Sequence, residues 1–272
     1  MKAWPARTQL RIVSLAPSAT SILVALGARR LLVGVSKWCK DVARVDGLPV
    51  VGDCWALDPQ QVTRLRPTLV IGSVPFKAET VAQVLNEPLT FLAHNPRTLA
   101  GIYNDIRLFG AVTGRVRAGG QVVSRMQRAL GAIERKARTL QRRSQDARRS
   151  ASLAKNAARP RVYCEAWSNP RISSPPWVAE LVEAAGGRMA VPAGQRVSDE
   201  QVAQAAPDII VLAWTATGDR ARPASVLRNP AWRDLPAVRH GRVHVIRDEW
   251  LNTPAPILIR GARELARLIA QS

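Results

Sequence analysis

The stretch Arg11-Ile-Val-Ser-Leu-Ala-Pro-Ser-Ala-Thr-Ser-Ile-Leu-Val-Ala-Leu-Gly27, continued by Leu32-Val-Gly-Val-Ser-Lys-Trp38, reads as strand, helix and second strand. The apolar run from Arg11 to Leu15 suits a buried strand. Ser18, after Pro17, can accept the orphan amides of a helix start, and Gly27 can end that helix in the left-handed conformation. Lys2, Arg7 and Arg11 ahead of the charge-free Ile12 to Ala28 also have the outline of a secretion signal. Against that outline, Pro17 and the hydroxyls of Ser14, Ser18, Thr20 and Ser21 interrupt the apolar run. The run also falls short of the roughly 20 residues that span a bilayer, and Leu31 to Val35 follows at once as the next strand. The segment therefore reads as the first strand and helix of a domain rather than a leader. The setting expected from it is the cytoplasm, or the periplasm if translation starts upstream.

Outward from that block, 272 residues at 47% hydrophobic content can bury a sizeable core. Cys39, Cys54 and Cys164 have no metal-ligand spacing and are odd in number, which points to free thiols in a reducing compartment. Forty basic against twenty acidic side chains give a net charge of +20. Fourteen of the basic residues lie between Arg115 and Arg161 against only Glu134 and Asp146, so this segment supplies twelve of the twenty net charges. The excess invites a nucleic-acid or acidic partner. No zinc-finger spacing or RNA-binding signature accompanies it, and the simpler account is a solvated helix face.

Short apolar runs alternate with helical stretches: Leu48 to Gly52, a helix from Asp58, Leu69 to Gly72, a helix from Lys77, Leu89 to Ala93, a helix from Thr98. The rhythm resumes at Arg161 to Glu165, with helices Trp177 to Ala185 and Asp199 to Ala206, strands Ile209 to Ala213 and Arg242 to Ile246, and a last helix Pro256 to Ile269. Such alternation predicts mainly parallel sheets. Ser198 and Gln201 form a capping box. Gln61 to Ile71 parallels Gln201 to Val211, each placing helix, proline and strand at one spacing. The proline-free Ala118 to Ala158 predicts a long helix with an apolar stripe at Val122, Met126, Leu130, Ile133, Ala137 and Leu140. The expected fold is α/β, two Rossmann-like lobes with mainly parallel sheets joined by one long α-helix, with bounds 1–114, 115–159 and 160–272.

The opening block, residues 57 to 71 and Glu180-Leu-Val-Glu-Ala-Ala-Gly-Gly187 resemble the class III substrate-binding proteins of metal-chelate ABC importers, nearest their cobalamin (corrinoid) branch. The resemblance implies a ligand held in a cleft between lobes. It puts Trp38 and Trp55 in the places of ligand-contacting aromatics, Phe76 in an aromatic loop and Trp250 in an acidic-Trp loop. Eight tryptophans beside three Phe and two Tyr agree with a bulky planar ligand. The expected ligand-binding residues are Pro17, Ser18, Trp38, Trp55, Phe76, Trp167, Trp214, Glu249 and Trp250. Another metal chelate, haem or a siderophore, is the alternative. The resemblance also implies an acid on each lobe for docking to a permease; Glu200 fills the second-lobe position, whereas Gln60 stands at the first, which leaves permease docking doubtful.

His94, His240 and His244 lack companions for a metal site. Walker loops, nucleophile elbows and dinucleotide fingerprints are absent. Glu165 and Glu249 fall on loops expected at the cleft without a histidine to complete an acid–base pair. The chain reads as a binder of a small corrinoid, with no catalytic residues, no catalytic cofactor and no metal site.

Overall fold

The computed structural model describes residues 10–53, 56–73, 77–86, 89–150 and 159–272. Trp55 and Phe76, with Cys54, lie outside them. The chain forms two compact units, one of Met1–Pro96 and Tyr103–Val123, the other of Arg97–Ile102 and Ser124–Ser272.

In the first unit, strands β1 (Ile12–Ser14), β2 (Leu32–Ser36), β3 (Val50–Val51), β4 (Leu69–Ser73) and β5 (Thr90–His94) form one sheet in the order β3-β2-β1-β4-β5. Every pairing is parallel. Parallel strands are covered on both faces, which is why β1 and β4 read as unbroken apolar runs. Val13, Leu15, Val51, Val62, Val70 and Val84 make one core cluster. Helices α1 (Pro17–Ala25), α2 (Pro59–Arg64) and α3 (Ala78–Leu85) connect the strands, and α4 (Leu99–Val112) follows β5. The strand order reverses between β1 and β4, so their carboxyl ends border the crevice where open α/β sheets take ligands.

Helix α1 departs from its expected cap. Ala16 is the N-cap and gives no side-chain bond, with Pro17 at the first helical position, where a missing N–H costs nothing. The Ser18 hydroxyl turns instead to His94, 76 residues away. The C-terminus follows expectation: Gly27 takes φ +70°, and the Ala28 N–H reaches back to the Leu23 carbonyl at 2.8 Å.

Helix α5 (Val116–Ser150) runs for 35 residues from the first unit into the second. Val122, Met126 and Leu130 of its stripe are buried, whereas Leu140 is exposed. The second unit contains β6 (Arg161–Ser168), β7 (Arg171–Ser173), α6 (Trp177–Ala184), β8 (Arg188–Met189), α7 (Asp199–Ala205), β9 (Ile209–Leu212), α8 (Ala224–Leu227), α9 (Pro236–Arg239), β10 (Val243–Val245), α10 (Asp248–Asn252) and α11 (Leu258–Ala270). Its sheet order is β10-β9-β6-β7, with β8 also paired to β6. Among the described residues only β7 runs antiparallel.

The repeated helix-proline-strand segment has a shared backbone device. Arg66 after α2 and Ala206 after α7 take φ +46° and +44°, each just before a proline that leads into β4 or β9. A residue before proline is pushed out of the right-handed helical region, and the left-handed turn redirects the chain from helix to strand. Side chains other than glycine pay about 1 kcal/mol there. Ala206→Gly is therefore expected to raise stability by about 0.5–1 kcal/mol. Urea unfolding checks this, and a lower midpoint would show that no strain is stored at the turn.

Candidate functional site

At the carboxyl ends of β1 and β5, Ser18 Oγ lies 3.1 Å from His94 Nε2, and His94 Nδ1 lies 3.0 Å from Asp105 Oδ2. This chain has the order and spacing of a hydrolytic triad. Its chemistry is blocked by burial, since the His94 side chain is 1% exposed and Ser18 as a whole 2%. Ser18, His94 and Asp105 instead fasten the Pro17–Ser18 turn to β5 and α4. Sequence reading missed the chain because its members come from three distant elements.

Trp38 follows β2 in a short turn of Lys37–Asp41. It is half-buried, its indole N–H donates to Asp53 Oδ2 at 3.0 Å, and the Lys37 ammonium sits 4.8 Å from its ring centroid. The indole is thus held by one edge and faced by a cation. Gln60 is exposed two residues after the N-cap Asp58, and Glu200 is exposed two residues after the N-cap Ser198. Both occupy the same place on equivalent helices. The exposed Asp58 carboxylate caps this helix, accepting the Gln60 N–H at 2.9 Å.

In the second unit the tryptophans divide into two groups. Trp177 and Trp232 are core, their indole N–H groups donating to the Leu251 and Asp199 carbonyls. Trp167, Trp214 and Trp250 sit at or beyond the carboxyl ends of β6, β9 and β10. Trp167 is 43% exposed, with its N–H on the Asn169 carbonyl. Trp214 donates to Glu165 Oε1 at 2.8 Å. Glu165 is not on a loop as expected but lies in β6, fully buried. It also accepts from Tyr163 and Arg171, each at 2.7 Å. Arg171 bonds Asp199 as well and stacks over the Trp232 ring at 4.1 Å. Burial works against the Arg171 charge, and the carboxylates of Glu165 and Asp199 outweigh it.

The loop after β9 is tied to its neighbours. Thr215 N–H donates to the Ala166 carbonyl at 2.9 Å, and Asn252 Nδ2 to the Ala213 carbonyl at 2.7 Å. Asp248 accepts the Ala216 and Gly218 amides at 3.0 and 2.6 Å. Beside this clamp, Glu249 Oε1 takes Arg247 at 3.1 Å, whereas buried Glu249 Oε2 and Asn252 Oδ1 have no hydrogen-bond partner among the described residues. The two residues are three apart on α10 and so share its face. An unmet buried acceptor costs about 1–3 kcal/mol, and a ligand carrying N–H or O–H donors would relieve it. Asn252 escaped the sequence reading; its spacing from Glu249 was the available signal. Among the described residues, no three His, Cys, Asp or Glu side chains gather as a metal-ligand set.

Comparison with known proteins places this geometry. The family described as "Periplasmic binding protein" matches residues 12–250. An uncharacterized ABC transporter substrate-binding lipoprotein, YvrC, of Bacillus subtilis (strain 168) is 27% identical over 266 residues, covering 95% of this chain and 79% of that protein. A periplasmic heme-binding protein from Pseudomonas aeruginosa superposes with TM-score 0.82 at 21% identity, covering 96% of this chain and 93% of that one. The periplasmic vitamin B12-binding protein BtuF of Vibrio cholerae gives 0.71 at 21%, covering 96% and 98%.

These matches overturn the cytoplasmic setting. The family is periplasmic, and the Bacillus relative is a substrate-binding lipoprotein. The physical arguments for the cytoplasm also fail on this structure. That β1 and α1 belong to the fold says nothing of the compartment in which the fold works. Cys39 and Cys164 are fully buried, and burial pushes both thiols up, Cys164 to about 12. Thiols shielded in this way need no reducing surroundings.

Asp248 gives the loop clamp a pH signature. Burial, aided by the neighbouring Glu249 charge and opposed by the amides it accepts, pushes its carboxyl from the ordinary 3.8 up to about 6. The folded chain therefore binds this proton more tightly than the unfolded chain. The resulting stability is fully present below about pH 4 and is lost as pH rises through 6. From pH 7 to pH 4 the wild-type chain should gain on the order of 2 kcal/mol over Asp248→Asn, read by urea unfolding at both values. A wild-type advantage that does not change with pH would contradict the assignment.

Proposed function

We propose that this chain, which belongs to the periplasmic binding protein family, is the substrate-binding component of an ABC importer for a metal chelate, and that the chelate is a corrinoid. The observation that carries the corrinoid reading is the pair of unpartnered acceptors, Glu249 Oε2 and Asn252 Oδ1, in the loop cluster that holds Trp214 and Trp250. A corrin ring is fringed by primary amides whose N–H groups donate to such acceptors. Haem presents carboxylates, which would meet Glu249 as like charges in a poorly solvated place. The tryptophans supply flat apolar area for either macrocycle.

On this reading Trp38 of the first unit and Trp167, Trp214 and Trp250 of the second are ligand contacts, and Glu249 receives the ligand's amides. Pro17 and Ser18 act by fixing the turn after β1. Permease docking uses Glu200 on the second unit, with Asp58 and Gln60 on the first. No chemical step is assigned to the chain, in keeping with a family of binding proteins.

Haem is the competing ligand, named for several of the solved structures of like fold. Cyanocobalamin and haemin, each mixed with purified protein and desalted, separate the two. Corrinoid absorbance should be retained, with Trp214→Ala or Trp250→Ala weakening binding at least tenfold, the scale of a buried aromatic anchor. Retention of haemin and not of cyanocobalamin would replace the corrinoid by haem.

A further inference from the structure

The exposed side of α5 is used by nothing described so far. Within the second unit, Arg125, Arg128, Arg135, Lys136, Arg142 and Arg143 are all exposed. No salt bridge joins any of the six among the described residues, and Glu134 is taken by Arg138; the exposed Asp146, a turn beyond Arg142, is an acid on the same side. At 100° per residue, Arg128, Arg135 and Arg142 stand one above another, with Arg125, Lys136 and Arg143 flanking them on the same half of the helix. Buried Met126 and Leu130 mark the opposite half. The result is a band of six cations about 27 Å long around a straight row of about 21 Å.

We propose that this face of α5 docks the protein onto an anionic phospholipid surface. A plane can touch the whole row at once, and each Lys or Arg near an anionic bilayer strengthens binding about fivefold at moderate salt. The face lacks the large apolar side chains by which amphipathic helices insert, so the helix rests on the headgroups. It also lacks aromatics that would stack on bases, which sets it apart from single-strand nucleic-acid surfaces. The α5 row concentrates the binder beside the bilayer, where an importer's permease lies. In that purpose, though not in its binding chemistry, the proposal rests on the importer reading.

Sedimentation of the intact protein with vesicles tests it. Phosphatidylcholine vesicles containing one third phosphatidylglycerol should bind the protein at 50 mM salt, and pure phosphatidylcholine should not. Raising salt to 500 mM should weaken binding more than tenfold. The triple change Arg128→Glu, Arg135→Glu and Arg142→Glu should reduce vesicle binding at least a hundredfold while leaving cyanocobalamin retention at its wild-type level. A control of equal charge change, Arg222→Glu, Arg228→Glu and Arg233→Glu on exposed positions elsewhere in the unit, should lose less than tenfold. Equal loss in both triple variants would overturn the proposal by reducing it to overall charge. Tighter binding to duplex DNA than to vesicles through the same arginines would overturn it in favour of a nucleic-acid surface. Vesicle binding through the row by a protein that retains no chelate would sustain this proposal and sink the importer reading alone.

Discussion

The second unit is organised around one buried carboxylate. Glu165 sits in the central strand β6 with no exposed surface, and it persists there because a phenol, a guanidinium and an indole all donate to it. Each donor comes from a different functional part. Tyr163 belongs to the core cluster with Ile210 and Trp232, Arg171 reaches Asp199 at the start of α7, and Trp214 begins the loop after β9. A buried charge stripped of its partner is strongly destabilising, typically by about 3–5 kcal/mol. Core packing, the first turn of α7 and the loop after β9 are therefore coupled through a single side chain.

That coupling helps to fix the loop after β9. The indole of Trp214 is fixed from the strand side by Glu165, and the following backbone is fixed from α10 by Asp248 and Asn252. With the loop held from both sides, the proposed ligand would meet pre-placed aromatic area and two acceptors in want of donors. The cost of ordering these groups is met in folding rather than in binding. In the first unit the Ser18–His94–Asp105 chain plays the corresponding part, fastening the turn after β1 rather than reacting.

Much of the fold could be read from the sequence because parallel strands covered on both faces appear as continuous apolar runs: the runs Arg11 to Leu15, Leu69 to Gly72 and Ile209 to Ala213 hold β1, β4 and β9. The Ser198–Gln201 capping box was equally visible, since it is purely local. Strands β7 and β8 were not, because segments of three and two residues carry no periodicity. Ser18 was assigned to a helix cap because its true partner lies 76 residues away. Glu165 was placed on a loop because a lone acid in an apolar run looks like a strand end, and only tertiary contacts supply the three donors that bring it inside. The compartment was misread from the opening block and from the cysteines: a strand and helix that belong to the fold do not report its setting, and no spacing rule reveals that Cys39 and Cys164 are buried. The basic surplus was located correctly, yet its arrangement along one helical face emerges only when the buried face is known.

The central claim is that ligand settles on the loops that Glu165, Asp248 and Asn252 hold in place. Hydrogen–deuterium exchange with and without cyanocobalamin reads this position directly. The account predicts slowed exchange in residues 213–218 and 248–252 on ligand addition. Protection confined to other segments, with these two unchanged, would contradict it.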